Sequence, residues 1–309
     1  MELIRRNFSP ESGLKLCMRS FLFSVIALAL AASAFASSDP AQLAAARALF
    51  GTQGKAREAQ QAFEAIATAD PTNAEAQNFL AQLAIRRDDA EKAVAYAEKA
   101  ASLAPDNADI QDTLGDAYGR SAQKASLFSQ LGLAKKCAAA YQRAVALAPD
   151  NVDFHQSLFE FYRQAPGFAG GGSDKATAEA AVIKKLDPLR GRLAFASLYT
   201  ADKKYDLALA EFDEVLKSSP DDYAALYQVG KLAAQSGQYL DRGLASLRRC
   251  LELTPPTTPN TPGHAAAQWR IGNIFEKKND PAGARAAYEA ALTLDPKFAP
   301  AADALKKLK

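Results

Sequence analysis

Metal or nucleophilic chemistry in this chain of 309 residues would have to come from two histidines, His155 and His264, and three cysteines, Cys17, Cys137 and Cys250. Imidazole and thiolate hold zinc in close-spaced pairs, H-x-x-x-H on one helix face or C-x-x-C on one turn, and neither pattern is present. The nucleophile elbow G-x-S-x-G is missing too, so no serine is set on a strained strand-to-helix turn. The stretch Gly170-Gly171-Gly172-Ser173-Asp174-Lys175 could cradle an anion on its backbone N–H groups. Its spacing is not G-x-x-x-x-G-K-[ST], no strand precedes it, and the Asp174 carboxylate would repel a phosphate. Acidic pairs are abundant, as on any solvated helix face, and none stands apart. These residues nominate no catalytic residue, no metal ligand and no cofactor.

The elements that carry them begin after a leader. Residues 21–36 (FLFSVIALALAASAFA) form an apolar run preceded by Arg5, Arg6, Lys15 and Arg19 and closed by Ala34-Phe35-Ala36. The run is shorter than the roughly 20 residues of a membrane span. It reads as a secretory signal peptide over 1–36, cleaved near Ala36, with Met18 as an alternative start and a periplasmic or secreted destination. The leader holds four basic and two acidic residues, so of 37 basic and 35 acidic residues 33 of each sign remain in the mature chain. A nucleic-acid binder needs a basic stripe; none is visible, so nucleic acid is not expected as a partner, nor is membrane once the leader is removed. Cys137 and Cys250 alone make no disulfide framework.

Helix-ending prolines mark the rest. Pro71, Pro105, Pro149, Pro188, Pro220, Pro255 and Pro296 are separated by 34, 44, 39, 32, 35 and 41 residues. Twelve, eight and five residues before Pro296 stand Ala284, Tyr288 and Ala291; before Pro149, Cys137, Tyr141 and Ala144; before Pro71, Ala59, Phe63 and Ile66; before Pro220, Ala208, Phe212 and Val215. A small residue, an aromatic four later and a small or branched residue three later lie on one helix face. Asp106-Asn107, Asp150-Asn151 and Asp221-Asp222 follow as N-cap candidates, and Thr72-x-x-Glu75 has capping-box spacing. Upstream in the same units, Leu114-Gly115 with Tyr118 and Ile271-Gly272 with Phe275 precede each second helix.

These motifs resemble the tetratricopeptide repeat, a helix-turn-helix unit of 34 residues. The resemblance covers about residues 40–309, although the family's helix A tryptophan is displaced, since Trp269 falls one residue late. It implies an all-α, right-handed superhelical solenoid of antiparallel helix pairs over 37–309, about seven units with a C-terminal capping helix at 297–309. It also implies a scaffold or adaptor that is no enzyme and binds protein segments through a concave groove lined by the first helix of each unit; with the leader, that places it in the bacterial envelope. By equivalent positions the early lining is acidic (Asp112, Asp116, Glu160) and the later lining mixed (Tyr227, Lys231, Trp269, Arg270, Asn273), with Tyr227 and Trp269 as anchors. The acidic early lining disfavours the carboxylate clamp of chaperone-binding relatives and favours a basic or polarised extended segment.

Two insertions enlarge the turn between the paired helices in adjacent units. About ten extra residues lie between Tyr118 and Cys137, including Leu127, Phe128, Leu131 and Leu133, and five within Ala165–Ser173, around Phe168. They predict lengthened helices forming a projecting hairpin, a glycine turn, and packing of Phe168 with the apolar residues around Phe128 into a bump. That bump is either local core or a docking edge through which the protein serves as a structural subunit of an envelope assembly. The third insertion, Pro256 to Gly263, is proline-rich and predicts an extended linker.

Overall fold

The computed structural model describes residues 39–257 and 261–308. The expected signal peptide at 21–36 lies outside them, as does the centre of the proline-rich linker at 258–260. The described residues form fifteen α-helices and no strand.

Two compact units divide the chain, one ending at Leu133 and the other beginning at Ala134. The first contains α1 (Pro40–Gly51), α2 (Ala56–Ala69), α3 (Ala74–Arg86), α4 (Ala90–Leu103), α5 (Ala108–Lys124) and the start of α6 (Leu127–Leu147). The second holds the rest of α6 and then α7 (Val152–Gln164), α8 (Ser173–Leu186), α9 (Pro188–Ala201), α10 (Tyr205–Ser218), α11 (Tyr223–Ser236), α12 (Leu240–Glu252), α13 (His264–Lys277), α14 (Pro281–Leu294) and α15 (Ala299–Lys307). Within each unit consecutive helices pack on one another, α1 with α2 and α3 with α4 in the first, α7 with α8 through α13 with α14 in the second. Helix α15 closes on α14 with Ala301 buried against Ala284, Tyr288 and Ala291. At 17 and 21 residues, α5 and α6 are lengthened as the insertion between Tyr118 and Cys137 predicts.

The small-aromatic-small face is the core face. Ala59, Phe63 and Ile66, the Cys137 and Ala208 triplets, and Ala284 with Tyr288 and Ala291 are all buried. Helices approach here until no methyl group fits between them. A Cβ on Gly230 would lie 2.2 Å from Leu247, on Gly272 2.2 Å from Tyr288, and on Gly191 2.2 Å from the Lys184 Cα. The first two sit at the glycine of the motif; Gly191 has no motif around it, and only the crossing of α8 and α9 reveals its role.

Capping follows the sequence with one correction. Asn107, Asn151 and Asp222 accept from the backbone N–H of Ile110, Asp153 and Ala225 at 3.1, 2.9 and 2.8 Å. The Thr72–Glu75 capping box does not form. Asn73 caps α3 through Ala76 N–H, the Thr72 hydroxyl donates to Asp70, and Glu75 pairs with Arg47. Pro188 also departs from expectation: it opens α9, with Asp187 ending α8 and capping α9 at once. Proline at the first helical position has no N–H to leave unsatisfied, so it suits a start as well as a stop.

Two buried polar side chains tie each turn to the helix after it. Gln111 Nε2 donates to the Pro105 carbonyl at 3.0 Å, and His155 Nε2 contacts the Pro149 carbonyl at 2.8 Å. Each lies six residues beyond its proline. His155 Nδ1 meets the Glu179 carboxylate at 2.7 Å, so both ring nitrogens are occupied in structure.

Two outcomes are expected. Gly191→Ala forces α8 and α9 apart and costs about 1–3 kcal/mol in urea unfolding, whereas Gly132→Ala, with open space around it, costs nothing and gains up to about 1 kcal/mol. The second concerns pH. Burial pushes the Cys250 thiol and the Tyr223 and Tyr288 phenols up to about 12, while free thiols and phenols ionise near roughly 8.5 and 10. The unfolded chain gives up these protons first, so their stabilisation is intact below roughly pH 8.5 and is lost as pH climbs through the folded values. Thermal melts should fall steadily above roughly pH 9, and Cys250→Ala should delay the onset.

Candidate functional site

The first helix of each pair supplies the face on which the sequence places recognition. In the first unit that face includes α5, with Asp112 half-buried and Asp116 exposed. Beyond α5, Leu127 is 83% and Phe128 98% exposed. In the second unit Phe168 is 78% exposed, and Leu131 is half-buried in the first. The expected packing of Phe168 with Phe128 spans the two units; within its own unit each ring stands clear of the core. The cause is local. Helix α6 starts at Leu127, so Leu127 and Phe128 occupy a first turn standing clear of the core, and Phe168 lies on a short 3₁₀ turn, Gly167–Ala169.

The glycine loop after that turn is braced by its own groups. Gly170 and Gly172 take φ of +97° and +133°, a Cβ on Gly171 would strike the Ala165 backbone, and Lys175 Nζ donates to the Gly170 carbonyl at 2.8 Å. The lysine closes its own turn. Among the described residues, no three His, Cys, Asp or Glu side chains converge as metal ligands. No described helix is long and apolar enough to cross a membrane.

In the second unit the face is built from α7, α9, α11 and α13. Glu160 on α7 is held by Arg163 at 2.5 Å and by the amide of Gln164 at 3.0 Å. Asp153 pairs with Arg190 at the start of α9 at 2.5 Å. Three of the expected lining residues are committed within the fold. Tyr227 is only 6% exposed and packs in the core cluster with Leu247, Cys250 and Ile271, so it is no anchor. Asn273 donates to the Tyr288 hydroxyl at 2.8 Å, which ties α13 to α14. Trp269 is half-buried, edge-on to Phe298 at 6.0 Å between ring centroids, and so braces the C-terminal segment.

Lys231 and Arg270 behave differently. The Arg270 guanidinium carbon lies 4.1 Å from the centre of the Trp269 ring, and its Nε is buried without a hydrogen-bond partner. Lys231, on the neighbouring α11, makes no ion pair among the described residues. Burial, then the charge of Arg270, then that of Arg163 hold its ammonium below the usual amine range. Arg163 lies two repeats earlier, so this face brings three cations from α7, α11 and α13 into electrostatic range. Sequence position marked Lys231 and Arg270 as lining residues but gave no sign that Arg163 joins them.

A partly desolvated cation without a counter-charge weakens the fold. Lys231→Met should raise the thermal midpoint, on the order of 1–3 °C, in a buffer free of polyvalent anions; an unchanged or lower midpoint would show that the ammonium is already satisfied.

Profiles described as tetratricopeptide repeat match residues 52–117, 121–151, and 193–256 overlapping 240–297. A tetratricopeptide repeat protein from Parabacteroides merdae has a similar structure, with TM-score 0.61 and 17% identity over 83% of this chain and 93% of that one. Yeast Tom70 is similar with TM-score 0.61 and 16% identity, over 82% of this chain and 51% of Tom70. The human IFIT1 dimer with m7Gppp-AAAA gives TM-score 0.59 and 18% identity, over 82% of this chain and 58% of that one. At such identities the likeness is one of fold. No curated protein gives a significant match.

Proposed function

The chain belongs to the tetratricopeptide-repeat family, and from that premise we propose that it is a non-enzymatic protein-binding scaffold of the bacterial envelope. Its ligand is an extended protein segment laid along the first-helix face. The observation that carries this reading is the contrast in charge use within the second unit. Arg242 with Asp213, Arg249 with Asp221, and Lys278 with Asp241 join neighbouring repeats. Lys231 and Arg270, on the first-helix face, have no such partner among the described residues. Side chains committed to holding the array together are thus separate from side chains left to meet a ligand.

A second reading rests on Leu127 and Phe128, whose exposure is unusual for large apolar side chains. They would serve a structural subunit that docks through this edge. Export is part of the proposal in either case. The apolar run at 21–36 and its Ala34-Phe35-Ala36 end support cleavage before Ser37 and a periplasmic or secreted protein.

Photo-crosslinking amino acids at Gln235 on α11 and at Phe128 test the two surfaces in intact cells. The scaffold reading expects a discrete protein adduct from Gln235 and a mature N-terminus near Ser37. An adduct from Phe128 alone moves function to the edge. Full-length chain in the cytosol would refute export, and purified protein that turns over an envelope substrate would refute the scaffold.

A further inference from the structure

We propose that the exposed start of α6, Leu127 and Phe128 with Lys135 and Lys136 behind them, docks the protein shallowly on an anionic lipid surface. The inference is independent of the first-helix face. It gives the exposed edge a lipid partner where the second reading above gives it a protein.

The apolar side chains come first. Leu127 is 83% and Phe128 98% exposed, so neither contributes to the core of its unit. The turn that carries them is closed, because the Ser126 carbonyl accepts from the N–H groups of Ser129 and Gln130 at 3.0 and 2.9 Å. Two such side chains offer about 300 Å² of contact, well below the roughly 800 Å² per partner of a stable protein interface. That area suits a wedge entering the boundary between headgroups and acyl chains. The first turn of a helix also leaves N–H groups without an intrahelical acceptor, and hydrocarbon would not satisfy them. Insertion therefore stops where water and phosphate still reach. No described helix is able to cross a membrane, and a shallow contact requires none.

The charge around this tip has one sign. Between residues 117 and 149 the chain carries Arg120, Lys124, Lys135, Lys136 and Arg143 and no Asp or Glu, although the mature chain as a whole is balanced. Overall neutrality is what argues against a membrane partner in the sequence, and this segment departs from it. Lys135 follows Phe128 on α6 by seven residues and so lies on the same face, two turns behind. Gly132 and Ala139 complete an exposed stripe without a carboxylate, and the first turn holds no acidic residue. Asp88, which approaches from the loop before α4, is held by Lys124 at 2.7 Å and faces Arg120 at 3.9 Å. Residues 86–92 around it carry three acidic and three basic side chains, so that loop adds no net negative charge. Lysine suits the place behind an inserted ring, because its stem lies along apolar surface while the ammonium stays level with lipid phosphates. A nucleic acid would use the cations but has no apolar layer to receive Leu127.

The full mature chain, residues 37–309, is floated with vesicles of phosphatidylcholine alone and with vesicles in which about one lipid in three is phosphatidylglycerol. Binding should be at least tenfold stronger to the anionic vesicles and should fall with added salt. Phe128→Ser should lose at least tenfold of it. Lys135→Gln combined with Lys136→Gln should remove most of the preference for phosphatidylglycerol. Both side-chain sets are exposed, so far-ultraviolet circular dichroism should stay unchanged. Emission from Phe128→Trp should be quenched by brominated acyl chains, whereas the unaltered chain, whose single tryptophan is Trp269, should not be quenched. No binding to the anionic vesicles, or binding that Phe128→Ser leaves intact, overturns the proposal. A dimer in sedimentation equilibrium that Phe128→Ser dissociates also overturns it, in favour of a second copy of the chain. A discrete protein adduct from Phe128 in cells overturns it in favour of a protein partner. None of these outcomes alters the adduct expected from Gln235, so the scaffold reading stands or falls separately.

Discussion

The structure depends on helices approaching so closely that a methyl group no longer fits between them. Alanine at 59, 208 and 284, cysteine at 137 and 250, and glycine at 191, 230 and 272 occupy those contacts. Close approach without large side chains wins little apolar burial per residue, so each contact needs an aromatic beside it. Phe63, Tyr141, Phe212 and Tyr288 fill the space the small residues leave. The same contact sets the chemistry of Cys250. Burial first, and then the Asp222 carboxylate, raise the Cys250 thiol to about 12, and its sulfur faces the Tyr223 carbonyl at 3.7 Å.

With the interior given to small apolar residues, polar work moves to seams and faces. At the seams, charges join successive repeats, as Lys184 does on Glu211, which Arg192 of its own repeat also holds. In the turns, Gln111 and His155 reach back to a proline carbonyl and satisfy it where no helix can. On the first-helix face of the second unit the pattern is different. There Lys231 and Arg270 are desolvated without being neutralised, an arrangement that weakens a fold and is informative about binding for that reason.

Much of the architecture was legible because helical periodicity and proline chemistry are local. The triplets before each proline name the buried face, and the second residue of each Asp-Asn or Asp-Asp pair is the cap. Locality also explains the misses. Thr72 and Glu75 have capping-box spacing, but Asn73 stands one residue nearer the helix and Arg47 draws Glu75 away. The spacing alone could not register Arg47, which sits on a different helix.

The sequence by itself determined the repeat, the core face, the lengthened α5 and α6, and the lack of metal-ligand or nucleophile motifs, because each follows from residues within one or two turns of one another. Tertiary structure decided which lining positions remain available to a ligand. Tyr227 sinks into the core only because α12 and α13 close over it, and Asn273 is taken by a tyrosine on the following helix. It also left Phe128 exposed on the first unit and Phe168 exposed on the second. The gathering of Arg163, Lys231 and Arg270 depends on where successive helices place their faces, a property of packing between repeats that no single repeat encodes.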